Sequence, residues 1–265
     1  MQDITITDLE RAIARGEFTF HYQPKVSLAD GSVVGAEALI RWCRPDGTMV
    51  SPGAFIPLAE ETGFITDITA VLVSDVVQHI QPLIAANPDL KIAFNVSTAD
   101  LETPYLARML AGYVAEQRIA PGHIEIEMTE ATVAANPDRV AKGIADLRTL
   151  GVSVALDDFG TGFSALSVLC DHPFDILKID RSLTTKVESC PRYSAVVRTV
   201  VQLARTLNMC TVAEGVETEA QLRAVRDIGC CQAQGYFLGK PMPRTDLLEY
   251  LESAGEAMPK ARVPV

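Results

Sequence analysis

Two aspartates stand side by side at Asp157 and Asp158, closing the apolar stretch Val152-Ser153-Val154-Ala155-Leu156 and opening onto Phe-Gly-Thr-Gly at 159–162. Adjacent carboxylates repel unless something positive sits beside them. Other polar groups fall in or at the ends of further β-prone runs: Glu37, Asn95 and Ser97, Glu127, Thr129 and Glu130, Lys178 and Asp180, Glu214 and Glu217, and Gln234. In a parallel barrel the C-terminal strand ends share one rim, where barrel enzymes place their active sites. Glu37, Glu127, Asp157, Asp158 and Glu214 gathered there would repel strongly, and Lys178 alone does not neutralise them. Divalent cations do. Oxygen donors without His or Cys favour hard ions, Mg²⁺ or Mn²⁺. Two such ions roughly 3.5–4 Å apart activate water and stabilise a leaving oxygen in phosphodiester cleavage, so the predicted reaction class is hydrolysis. Taken singly, each acid also reads as a turn residue or a salt-bridged surface group, Lys178 as an ion-pair partner, and Asn95 as a helix cap for residues 97–101.

The elements that must position these groups follow from periodicity. Eight β-prone runs, at 18–28, 32–42, 91–97, 123–129, 152–158, 176–180, 210–216 and 232–239, are interleaved with helical patterns at 52–61, 66–85, 105–117, 138–150, 192–207, 219–227 and 246–253. At 265 residues this pattern predicts one α/β domain, a (β/α)8 TIM-like barrel over 1–255, with a flexible tail at 256–265. Only Ala29-Asp30-Gly31 separates the first two runs, so they are expected to form an antiparallel hairpin that makes the barrel irregular at its start. Gly151 and Gly229 follow two helices as expected C-caps.

Charge and composition narrow the classes. A net charge of −11, from 23 Lys+Arg against 34 Asp+Glu, argues against a surface that grips long nucleic acid. It permits a small anionic ligand where a local cation offsets the field. The six cysteines form no Cys-x-x-Cys pair and are expected to be reduced core thiols. The four histidines lack helical zinc spacing, which disfavours a His/Cys metal centre. With no uninterrupted apolar run of membrane-spanning length and no leader pattern, the chain is expected to be cytoplasmic and not to insert in a membrane.

AEALIRW (36–42), FIPLAEETG (55–63), FNVS (94–97), EMTE (127–130), DDFGTGFSAL (157–166), LKID (177–180), AEGVE (213–217) and QGYFLGKPMP (234–243) resemble the motif set of the EAL-domain cyclic di-GMP phosphodiesterases, in family order and over roughly residues 5–250. The resemblance implies a (β/α)8 barrel with one antiparallel strand at its start. It implies hydrolysis of the bacterial second messenger cyclic di-GMP to linear 5'-pGpG with Mg²⁺ or Mn²⁺, two per active site, and a homodimer. By motif, Glu37, Asn95, Glu127 and Asp157 correspond to ligands of the first metal, with Asp157 bridging to a second held by Asp158 and, through water, Glu214. Lys178 and Gln234 correspond to residues around the attacking water, Gln23, Leu39 and Arg41 to contacts with the dinucleotide, and Glu217 to a guanine or lysine partner. Strand alternation sets Glu37, Leu39 and Arg41 on one face. The segment after Asp158 corresponds to a mobile loop near the dimer contact, anchored by Glu130, with Gly160 and Gly162 supplying backbone freedom.

Two departures from the family pattern, Phe163-Ser164-Ala165-Leu166 for Tyr-Ser-Ser-Leu and Leu183 where Phe is commoner, bear on loop packing and the dimer interface and remove no ligand. The alternative to an enzyme is a receptor that holds cyclic di-GMP without cutting it, and a third reading is a barrel phosphodiesterase for another diester. The complete ligand set favours catalysis, and regulatory domains beyond this chain are compatible with it.

Overall fold

A computed structural model describes residues 4–161 and 165–254. In chain order the elements are α1 (Ile6–Ala14), β1 (Phe18–Ser27), β2 (Val33–Cys43), β3 (Met49–Val50), α2 (Pro52–Glu61), α3 (Ile65–Ala86), β4 (Lys91–Asn95), α4 (Thr98–Glu102), α5 (Tyr105–Ala115), β5 (Ile124–Thr129), α6 (Glu130–Ala135), α7 (Pro137–Thr149), β6 (Ser153–Phe159), α8 (Ala165–Asp171), β7 (Ile176–Ile179), α9 (Arg181–Thr184), α10 (Pro191–Thr206), β8 (Cys210–Ala213), α11 (Glu219–Ile228), β9 (Gln232–Gln234) and α12 (Arg244–Ala254).

The sheet runs β1-β9-β8-β7-β6-β5-β4-β2, and β1 also pairs with β2, so eight strands close into a barrel with β3 attached outside β2. β1 is antiparallel to both of its neighbours, β2 and β9, while the other barrel pairs are parallel. The expected irregular start has a local cause. Asp30 accepts the backbone N–H of Ser32 at 3.0 Å and Gly31 takes φ +80°, turning the chain back without a crossover helix.

The seven expected helices form, with ends displaced by at most two residues. α1, α4, α6, α8 and α9 were not anticipated. Four of these span at most seven residues, too short for periodicity to register, but Thr5/Asp8 and Ser97/Asp100 close reciprocal capping boxes at α1 and α4 that the sequence did signal. The strand runs 210–216 and 232–239 are corrected to β8 and β9, which end at Ala213 and Gln234 so that the remaining residues form loops. Gly229 caps α11 at φ +96°.

Alternation divides each strand between two surroundings. Outward residues Ile92, Phe94, Ile126, Met128, Val154, Leu156, Leu177 and Ile179 are fully buried in a core shared with Val140, Ile144 and Leu147 of α7 and Val197 and Val201 of α10. Inside the barrel only a small apolar floor forms, from Ala155, Ile176 and Val212 with Cys210 against it. Above that floor the interior is polar.

One helix bears on the membrane expectation, and the expectation that all six cysteines lie in the core is corrected. α3 is long and apolar enough to cross a bilayer, with a mean hydropathy of 1.4. Its polar residues interrupt any continuous run, and its buried Ile68, Leu72, Val76, Ile80 and Leu83 follow the three-and-four spacing of a helix seated on a core. Of the six free cysteines only Cys230 is buried, whereas Cys170 and Cys231 are exposed. Gly162 and the expected tail at 256–265 lie outside the described residues.

Candidate active site

Strand register gathers the predicted residues. Gln23 pairs with Glu37 across β1 and β2, Asn95 with Glu127 across β4 and β5, and Thr129 with Asp157 across β5 and β6. Asp157 and Asp158 are neighbours on one strand and would face opposite ways in regular pairing. Between β6 and β7, however, the register steps from Leu156–Leu177 to Phe159–Ile179, leaving two residues opposite Lys178 alone, and Asp158 adopts φ +57°. Such a bulge re-aims a side chain, and Asp tolerates the left-handed conformation better than most residues. Asp157, Asp158 and Glu214 consequently offer oxygens within 4.8 Å of one another, as do Glu37, Glu127 and Asp157. Asp157 belongs to both groups. The described part of the following segment is a turn, in which the Thr161 N–H donates to the Asp158 carbonyl at 3.2 Å and Gly160 takes φ +110°.

Lys178 is buried at the centre. Its Nζ donates to Glu127 at 2.7 Å, Asp157 at 3.0 Å and Glu214 at 2.8 Å, with Glu37 at 3.6 Å. Burial opposes its charge, but Glu127, Glu37, Glu214 and Asp157 outweigh burial and raise its pKa well above the lysine range. The amides tie down Glu37: Asn95 Nδ2 donates to its Oε1 at 2.8 Å and Gln234 Nε2 to its Oε2 at 2.7 Å. The capping alternative for Asn95 is thereby overturned, because Ser97 itself caps α4. Gln23 accepts from Gln234 at 3.1 Å and donates to the Gly239 carbonyl at 3.1 Å.

Lys178 is not the only cation in the barrel, contrary to the sequence reading. Lys25 of β1, also buried, donates to Glu125 at 2.6 Å and to Glu127 at 2.5 Å. Glu127 is therefore gripped by a lysine on each oxygen, which brings its carboxyl down to about 2 against the upward push of burial. Lys25 and Glu125 had a sequence signal. Each lies two residues from a recognised site residue, Gln23 or Glu127, and so shares its inward face.

The other carboxyls move the opposite way. Burial raises Glu37, Asp157 and Asp158, and pushes Glu214 up to about 8. A layer of acids that resists ionisation is short of positive charge. Its donors are oxygens, with no His or Cys among them, and Gln234 Oε1 is buried with no hydrogen-bond partner among the described residues. This set fits a hard divalent cation.

Above it opens a cavity of about 340 Å³ lined by Gln23, Glu37, Leu39, Asp158, Glu214 and Glu217 among others. Leu39 also walls an adjoining cavity of about 310 Å³ with Phe20, Ile56, Ile65, Leu72 and Arg41. Arg41 thus stands beside the carboxylate group rather than within it, its Nη1 donating to the Ile40 carbonyl at 2.8 Å. Glu130 is buried as the first residue of α6, behind the N-cap Thr129 and away from the lining of both cavities.

The EAL domain family matches residues 6–241. The chain is 37% identical over 242 residues to the bifunctional diguanylate cyclase/cyclic di-GMP phosphodiesterase MucR of Pseudomonas aeruginosa, covering 91% of this chain and 35% of that protein. It is 34% identical over 246 residues to the cyclic di-GMP phosphodiesterase RocR of the same organism, covering 93% of this chain and 63% of RocR. A solved structure of the PaMucR phosphodiesterase in complex with c-di-GMP has a TM-score of 0.83 at 37% identity, covering 91% of this chain and 98% of that one. Against the first few relatives the chain spans only about a third of their length.

Proposed function

This chain belongs to the EAL domain family, and from that premise we propose that it hydrolyses cyclic di-GMP to linear 5'-pGpG with two divalent cations, Mg²⁺ or Mn²⁺, per active site. The observation that carries the reading is the pair of carboxylate groups joined by Asp157 at the floor of an open cavity. Six interior carboxylates, Glu37, Glu125, Glu127, Asp157, Asp158 and Glu214, face two ammonium groups, Lys25 and Lys178, and the four formal negative charges left over match two divalent ions. Glu37, Asn95, Glu127 and Asp157 would hold one ion, and Asp157, Asp158 and Glu214 the other. Bound there, the ions would polarise the phosphodiester and lower the pKa of water.

The chain's own groups do the rest. Lys178, which donates to Glu127, Asp157 and Glu214, would serve as a fixed cation and hydrogen-bond donor among them. Gln234 is anchored on Glu37 and Gln23, and its carbonyl oxygen, without a partner among the described residues, would accept from the attacking water. Arg41 reaches the phosphate from the wall shared through Leu39, where its planar fork suits phosphoryl oxygens. The apolar lining of the adjoining cavity suits a flat base, and exposed Glu217 suits the donor edge of guanine.

Chromatography of cyclic di-GMP incubated with the purified protein and Mn²⁺, beside an EDTA control, tests this. The expected result is pGpG in the first sample only. Saturable binding without product would overturn catalysis in favour of the receptor reading.

A further inference from the structure

The end of the barrel opposite the mouth carries a second set of reactive groups. Cys231, exposed, directly precedes β9, and Cys210 opens β8 beside it. The Thr211 backbone N–H donates to Cys231 Sγ at 3.3 Å, and Thr211 Oγ1 lies 3.8 Å from the same sulfur. That hydroxyl accepts the Cys231 N–H at 3.2 Å, which leaves its own hydrogen for the sulfur. Strand amides ordinarily face a carbonyl, so an N–H and an O–H both turned on one sulfur favour its anionic form.

Charged neighbours agree in sign. Arg205, near the end of α10 and donating to the Gly229 carbonyl at 2.7 Å, lines an open cavity of about 440 Å³ with Cys231 and with Arg226 of α11. Arg226 Nε is buried with no hydrogen-bond partner among the described residues, and no acid is among those lining the cavity. The Cys210 thiol, the Thr211 donors and Arg205 bring Cys231 down to about 5 against burial. Cys210 itself is raised, first by its hydrogen bond to Cys231 and then by burial, with Glu125 and Lys91 adding smaller opposing effects. Cys230, buried next to them, is pushed up to about 12 by its burial.

We propose that Cys231 is a covalent modification site for small anionic disulfides of the glutathione-disulfide class. Cys231 Sγ attacks one disulfide sulfur; the new S–S bond forms as the old one breaks, and the departing thiolate carries off the electron pair and takes a proton from water. The thiolate supplies the nucleophile, and the two guanidinium groups supply counter-charge for the carboxylates of such a reagent in a protein that is otherwise strongly acidic. The adduct sits where Cys231 N–H meets the Thr211 carbonyl at 3.2 Å, at the root of the two strands leading to Glu214 and Gln234. Strain there lowers hydrolysis; this consequence rests on the proposed function, whereas adduct formation does not.

The test is peptide mass mapping of the full chain after timed exposure to iodoacetamide or to glutathione disulfide, with Cys170, the other exposed thiol, as internal reference. Near pH 6, Cys231 is expected to react at least about tenfold faster than Cys170, with a rate nearly level up to neutrality where an ordinary thiol gains about tenfold per pH unit. Thr211→Val should slow Cys231 with both reagents, and Arg205→Gln should slow it chiefly with glutathione disulfide. Equal rates at Cys231 and Cys170 in the unmodified sequence would overturn the site, and equal slowing of both reagents by Arg205→Gln would overturn the anionic class. Retained pGpG production after complete thiolation, with Cys231→Ser as control, would overturn only the coupling to hydrolysis.

Discussion

Glu125 and Glu127 stand two residues apart on β5 and face the same interior, yet the layers around them differ in kind. Below, Glu125 meets Lys25 at 2.6 Å, one anion with one cation. Above, Glu127 takes the same Lys25 on one oxygen and shares Lys178 with Glu37, Asp157 and Glu214, and Asp158 adds a further carboxylate at the rim. Buried ion pairs seldom stabilise a fold over well-packed apolar groups, but removing one partner is costly. The lower layer is therefore a structural commitment. The upper layer has more negative charge than the protein balances and opens to a cavity, so charge must come from outside. Acids at a rim do not make a site; an uncompensated excess of them does.

The widest gap between the layers should appear in catalysis. Glu37→Ala or Asp157→Ala is expected to cut the initial rate of pGpG formation by at least about a hundredfold, because each would remove a proposed direct donor to a cation. Glu125→Gln should stay within about tenfold of the parent protein. If it matched Glu37→Ala, the distinction between layers would collapse.

Stability should sort the layers in the reverse order. Lys25→Met strands Glu125 and weakens the hold on Glu127, at an expected cost of about 3–5 kcal/mol in urea unfolding with EDTA present. Adding Glu125→Leu should recover more than half of that loss. No recovery would mean that Lys25 acts chiefly through Glu127.

Metal addition sharpens the comparison further. Mn²⁺ at about a hundred times its dissociation constant should stabilise the parent by about 2.7 kcal/mol, seen as a rise in Tm. Asp157→Asn should lose most of that rise and Glu125→Gln should keep it.

The smallest effect concerns pH. Glu214 titrates at about 8, above the ordinary carboxylate range, because of its burial. The fold thus holds a proton that the unfolded chain has released, and this contribution to stability is complete below the ordinary carboxylate range and lost as pH rises through about 8. A divalent cation held by Glu214 would displace that proton, so the stabilisation by Mn²⁺ should grow by about 2 kcal/mol between roughly pH 6 and 8. A metal-induced Tm shift that stays flat with pH would place Glu214 outside the cation's reach.

Much of this site was legible in the order of residues. Alternation and composition marked eight runs, and the acids and amides at their ends identified the rim before any strand was paired. The hairpin followed from a three-residue turn, and the oxygen-only donor set implied a hard cation, because both depend on residue type and near neighbours. Pairing across the barrel decided the remainder. Asp158 joins Asp157 only because β6 slips against β7, Asn95 turns to Glu37 because β4 lies beside β2, and Lys25 finds Glu125 from a hundred residues away. Each depends on strand register and on which charges meet out of reach of water, and neither quantity is a property of any local stretch of chain.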